Sequence, residues 1–145
     1  VLPGARPVIA PDPSLNRWHS AAVGQALWLS VNDPTATKHE SLSFMGQAVS
    51  LTARRNGLSF EMGDGHTVQC DATTPWSPSV EPGSPSPTCG YTYQQAAPEG
   101  GYQVTAITSW DVTWSVLGHT GTVHIEKAGG QMLPVGELES VVTRR

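Results

Sequence analysis

Tyr102-Gln-Val-Thr-Ala-Ile-Thr-Ser-Trp-Asp-Val-Thr-Trp-Ser-Val116 alternates without a break. Val104, Ala106, Thr108, Trp110, Val112, Trp114 and Val116 fall on one side, and Gln103, Thr105, Ile107, Ser109, Asp111, Thr113 and Ser115 on the other. A period of two is the mark of a strand with one dry face and one wet face. Strands usually run about five or six residues, so fifteen predicts a bend or bulge near Ser109 to Asp111. Each tryptophan can bury roughly 150–250 Å², enough for two of them to supply much of a small core. The rest of the chain is expected to pair with this strand or pack on it.

The chain has 145 residues, 14% of them charged, with 15 glycines and 12 prolines. That length predicts one domain. Many short segments punctuated by Gly and Pro predict an all-β sandwich or barrel. Outward from the opening strand, Gln25–Val31 reads as a strand ended by Asn32-Asp-Pro34, and Ser41–Phe44 as a short one followed by a turn at Met45-Gly46-Gln47. In Gln47–Arg55, Val49, Leu51 and Ala53 alternate with polar residues. In Leu58–Met62 the apolar positions are Leu58, Phe60 and Met62. Asn56-Gly57 between these two runs is a strong hairpin signal. Gly63-Asp64-Gly65 reads as a second tight turn, with Gly63 and Gly65 free to take positive φ and Asp64 able to bond nearby amides. His66–Cys70 is the expected return strand. Near the end, Gly118 and Gly121 predict a turn, Thr122–Ile125 a strand, Ala128-Gly-Gly130 a break, and Glu137–Thr143 a last strand beside the opening one.

Two segments stand apart. Val1–Leu15 carries Pro3, Pro7, Pro11 and Pro13 and reads as an extended arm, either free or laid along the domain. This gives an arm at 1–22 and a single domain at 23–145. Asp71–Thr88 is a long irregular loop with five prolines and Trp76, and long loops are functional or pinned. Cys70 and Cys89 flank it at a spacing that fits no zinc pattern. They read as a disulfide of an exported protein, with two free buried thiols as the alternative. Closing a loop of roughly 20 residues is worth about 3 kcal/mol in the chain-entropy account. Trp76 either plugs the loop onto the domain or faces a partner, and Trp18, in Arg17-Trp-His19, reads as a second candidate contact.

The net charge is −4 and the isoelectric point about 5.6. Positive charge is nowhere concentrated, which argues against nucleic acid as a partner. No apolar run reaches about 18 residues, so no membrane span is expected. The chain opens on Val1, not Met, and reads as processed, with a signal peptide or anchor among the segments that processing removes. Five histidines, His19, His39, His66, His119 and His124, match no recognised metal spacing, though His119 and His124 lie five apart across an expected turn. No Gly-x-Ser-x-Gly occurs. Spacing alone does not pair Glu61, Asp64 and Asp71 for sugar chemistry. No catalytic site, metal or cofactor is assigned from the sequence.

Phe60-Glu-Met-Gly-Asp-Gly65, then Tyr91-Thr-Tyr93, then Gly101-Tyr-Gln-Val-Thr-Ala106 resemble, in order, the turn and strand motifs of the PKD (polycystic kidney disease) domain family, with Met62 where phenylalanine is usual. The resemblance covers roughly 47–116. The whole chain also looks like short secreted bacterial proteins with a PKD-like core and a Cys-closed insertion. It implies an immunoglobulin-like antiparallel β-sandwich, secreted or displayed at the cell surface. It also implies adhesion, spacing or contact with another extracellular protein or a cell-surface glycan, and it does not imply catalysis. Trp110 and Trp114, about 13 Å apart along a strand at ~3.3 Å per residue, are expected in the core, with a sugar-stacking ladder as the alternative.

Overall fold

A computed structural model describes residues 2, 4–16, 19–33 and 35–137. Its elements, in chain order, are β1 (Pro7–Ala10), a 3₁₀ turn at Pro13–Leu15, β2 (Ala21–Ala22), β3 (Leu27–Val31), β4 (Thr37–Phe44), β5 (Gln47–Glu61), β6 (Thr67–Gln69), β7 (Gly90–Tyr91), β8 (Tyr102–Val116), β9 (His119–Leu133) and β10 (Val135–Gly136). The protein is all-β. One sheet runs β1-β3-β7 and another β4-β5-β8-β9 with β6 also on β5, both antiparallel. A two-residue parallel pair joins β2 to β10.

The opening strand is β8, over the residues that its alternation predicts. Its inward residues Val104 and Ala106 meet Leu58, Phe60 and Met62 below, and Ile9, Leu27, Leu29 and Val31 of the smaller sheet across the core. Leu133, Tyr93 and Tyr102 close the cluster. The core therefore occupies only the proximal half of the large sheet. β5, β8 and β9 each run fifteen residues, and the three-stranded sheet is far shorter.

Three expectations are corrected. Asn56-Gly57 makes no hairpin, because β5 continues from Gln47 to Glu61. The register against β8 instead shifts between Arg55 and Gly57, so Asn56 is the extra residue of a bulge. Neither Asn56 nor Gly57 has the positive φ that a primed hairpin turn requires. The expected irregularity of β8 near Ser109 is thus carried by its partner strand. Second, Ala128-Gly-Gly130 breaks nothing, since β9 passes through it. Gly129 is there because a Cβ would lie 2.9 Å from the Ala5 carbonyl oxygen, and Gly130 leaves room for the Gln103 side chain. Glycine inside a strand here marks close approach. Third, Gly121 is a strand residue, not part of a turn.

The segment read as an arm supplies a strand. Pro7, Ile9 and Ala5 are buried, and β1 pairs with β3 from Pro7 opposite Val31 to Ala10 opposite Trp28. Proline is tolerated there because β1 is an edge strand. Cys70 and Cys89 are disulfide-bonded, with Cα atoms 5.7 Å apart. The last strand expected at Glu137–Thr143 lies, beyond Glu137, outside the described residues, as does Trp18.

Candidate binding surface

The Gly63-Asp64-Gly65 turn is a junction. Both glycines have positive φ, 84° and 92°. Gly63 is also pressed on its neighbour, since a Cβ there would meet the Gln103 carbonyl oxygen at 2.7 Å, whereas Gly65 faces open space. Asp64 accepts hydrogen bonds from the His66 backbone N–H at 3.1 Å and from the Tyr91 hydroxyl. The Tyr93 hydroxyl donates to the Met62 carbonyl at 2.7 Å, and the Tyr93 ring stacks on Tyr102 with centroids 4.5 Å apart. Tyr102 in turn donates to the Gln95 carbonyl at 2.8 Å. The turn, the Tyr-Thr-Tyr segment and the start of β8 thereby form one hydrogen-bonded cluster.

Partial burial pushes the Asp64 carboxyl up, but the bonds from Tyr91 and His66 outweigh it and hold the group below its ordinary range. Burial, reinforced by the neighbouring Asp64 carboxylate, raises the Tyr91 phenol, and burial raises Tyr93 as well. A carboxylate held low by two donors, beside phenols held high, ties the turn to the Tyr-Thr-Tyr segment as a structural clasp.

The histidines do not gather. His119 and His124 share β9 at an odd separation, so they project to opposite faces, His119 opposite Val116 and His124 opposite Asp111. His124 Nδ1 is hydrogen-bonded to Asp111, and His66 Nδ1 lies 3.4 Å from Asp64. Among the described residues no three His, Cys, Asp or Glu side chains come together as a metal-holding group.

The 71–88 loop is pinned at more points than its disulfide. The Trp28 indole donates to the Ser84 carbonyl at 2.8 Å, and Thr74 and Thr88 hydroxyls bond at 2.7 Å. Trp76 is half-buried and shares a groove of about 310 Å³ with Pro11, Ala26, Val80 and Pro82. Trp110 is only 1% exposed, so it is core and cannot form one rung of a sugar ladder with Trp114.

Trp114 is different. It shares a face with Trp110 but lies beyond the smaller sheet, half-buried, with its indole over Gly121 on the next strand. Above Trp110 the large sheet continues as a blade of four strands, β4 and the distal parts of β5, β8 and β9. Residues directly opposite in register share a face. Leu42 faces Val49, Leu51 faces Trp114, Ala53 and Val123 flank Val112, and Ile125 faces Trp110. These make one apolar face. The reverse face carries Ser41, Ser43, Ser50, Thr52, Thr113, Ser115, Thr120 and Thr122. Leu2 reaches the base of the apolar face, where it helps line a depression of about 310 Å³ with Leu51, Val112, Ile125 and Lys127. No other described strand covers the blade.

The blade is the surface that reading the sequence missed. Its signal was present in the alternation of Leu42 and Phe44 and of Val123 and Ile125. Both runs read as short strands of their own, too short to show that they belong to longer ones. No protein-family model, no curated protein and no solved structure matches the chain.

Proposed function

We propose that this chain is an extracytoplasmic, non-catalytic binding or assembly module built on an immunoglobulin-like sandwich of PKD-like type. One observation carries the reading: among the described residues no further strand covers the apolar face of the blade, with Leu42, Val49, Trp114, Val116 and Val123, while its reverse is lined with serine and threonine. Contiguous apolar surface left in water is destabilising to keep and marks a contact site. The disulfide supports an oxidising compartment. The cluster of Asp64, Tyr91, Tyr93 and Tyr102 supports the PKD-like reading, because the three motifs that carry the resemblance meet in it. The 71–88 loop and the proline-rich segment are tied into the domain, so the blade is the better candidate for the contact surface.

The test is Val123→Asp, which places a charge in the middle of the apolar face at a residue already half exposed. Thermal unfolding should move little, within roughly 0.5 kcal/mol as for most surface changes. Cross-linking capture on the native cell envelope should fall sharply. Capture that survives Val123→Asp but disappears when 71–88 is replaced by a short Gly/Ser link would move the contact surface to the loop. Hydrolase activity lost on Asp64→Asn would overturn the non-catalytic reading.

A further inference from the structure

We infer that the free end of the blade docks on a lipid bilayer, submerging its two hairpin tips in the membrane interface. The inference deepens the binding-module reading and rests on it.

Two turns close the blade. Met45-Gly46 joins β4 to β5, and Leu117-Gly118 joins β8 to β9. The pairing of Ser50 with Ser115 puts the start of β5 beside the end of β8, so both turns sit at the same end. Both are two-residue turns with positive φ at each position, 52° and 79° in one, 48° and 80° in the other. Such turns favour Asn, Asp or Gly at the first position. Here that position holds methionine and leucine, each strained by about 1–2 kcal/mol in the left-handed region. The two side chains are also among the most exposed apolar groups described, Met45 at 86% and Leu117 at 74%, with Phe44 beside them at 65%. Strain and exposure coincide twice at one end of the molecule. Strained positions of this kind concentrate where a fold does its work.

Charge is missing from the same end. Residues 41–50 and 112–123 contain no Asp, Glu, Lys or Arg. At the chain's charged fraction of 14%, about three would be expected among those 22 residues. The first formal charges below the tips are Glu40, Arg54, Asp111 and Glu126, one on each strand. They form a belt roughly 15–25 Å from the turns at ~3.3 Å per residue. Charged side chains are costly in hydrocarbon, and a belt at that distance stays in water when the turns alone are submerged. Trp114 lies three residues, about 10 Å, behind Leu117. That is the depth at which indoles gather between headgroup and hydrocarbon.

The backbone sets the limit of insertion. The outer edges of β4 and β9 pair with no other described strand. Open sheet edges are not tolerated in hydrocarbon. Only the turns, closed by the pairs Phe44–Gln47 and Val116–His119, can be submerged, to about the 5–10 Å typical of interfacial docking. No described helix is long and apolar enough to span. Lipid is favoured over a protein because Met45 and Leu117 occupy convex turns. A flat partner would touch one residue of each, while a fluid phase accepts a convex point without a matching surface. With no lysine or arginine near the tips, the docking needs no anionic headgroup.

The experiment sediments the full chain with sucrose-loaded vesicles of pure phosphatidylcholine, with and without phosphatidylserine, at low and high salt. Binding to the zwitterionic vesicles, insensitive to salt, with tryptophan emission quenched by brominated acyl chains, is the expected result. The variant Met45→Asn/Leu117→Asn puts the preferred residue in both turns. It should unfold at an equal or higher temperature, yet lose vesicle binding by on the order of tenfold or more, since it removes the apolar side chains that drive partition. Unchanged binding in that variant overturns the proposal, as does binding only to anionic vesicles that salt abolishes. No vesicle binding, with the variant instead converting a dimer to monomer or losing envelope-protein capture, overturns the lipid inference and leaves the binding-module reading standing. Loss of neither overturns both.

Discussion

At the residue scale, the decisive contrast is between two glycines of one turn. Gly63 and Gly65 have the same kind of backbone, φ near +90°, but only Gly63 is crowded, by the Gln103 backbone. Gly65→Ala should cost about 1 kcal/mol for the left-handed conformation alone. Gly63→Ala adds a clash with main chain that cannot rotate away, and should cost several times more. Urea midpoints of the two variants check this, and equal losses would remove the crowding argument. The clasp below them titrates at both ends. Asp64 has a lowered folded-state pKa, so its contribution is full above the ordinary carboxylate value near 4 and fades as pH falls through the lowered one. Tyr91 and Tyr93 have raised pKa values, so theirs is full below the ordinary phenol value of 10.0 and fades as pH climbs past it. Tyr91→Phe deletes one donor to Asp64 and one phenol. Denaturant titrations across pH should show the acid limb shrink and the alkaline limb flatten. An unaltered profile would mean that the Tyr91–Asp64 bond carries no linkage.

At the element scale, β5 shows why part of the fold was hidden. Its apolar residues are odd-numbered in the distal half, Val49, Leu51 and Ala53, and even-numbered in the proximal half, Leu58 and Phe60, with Met62 just past the strand's end. A switch of parity arises from a hairpin or from a one-residue bulge, and Asn56-Gly57 favours the hairpin on local grounds. The strand that decides between them is β8. Unbroken over fifteen residues, it pairs with a partner of equal length only if β5 does not turn back. Local chemistry was legible, and pairing between residues fifty apart was not. The bulge keeps Ala53 and Leu58 on one face, and Asn56 adds a 2.8 Å bond from its side-chain nitrogen to Asp111. Deleting Asn56 should flip one half of β5 to the wrong face and abolish cooperative folding. Asn56→Ala removes a single exposed bond and should cost at most about 1 kcal/mol. Circular dichroism melts of the two variants separate parity from hydrogen bonding, and a folded deletion variant would show that the register is not fixed by the bulge.

At the scale of the whole molecule, the same three strands are core at one end and surface at the other. Composition and alternation made the all-β class readable, and the cysteine pair made the oxidised loop readable. Alternation looks identical whether the dry side meets a second sheet or is left uncovered, so the blade was not legible from Trp110 and Trp114 alone. What separates them is the length of the facing sheet, set by β1 and β3 at four and five residues. This asymmetry predicts a gradient of stability along single strands. Amides of β8 and β5 near Val104 and Phe60 lie in the buried cluster and should open only with global unfolding. Amides of the same strands beyond Trp110 and Ala53 have one solvated face and no covering layer, and should exchange by local opening at much lower free energy. The outward amides of β4, an edge strand exposed along nearly its whole length, should exchange fastest of all. Residue-resolved hydrogen exchange at neutral pH tests this directly. Protection that stays level from Val104 to Val116 would mean that the blade is covered in solution, by a second copy or by residues outside those described. It would remove the basis for reading its apolar face as an open contact surface.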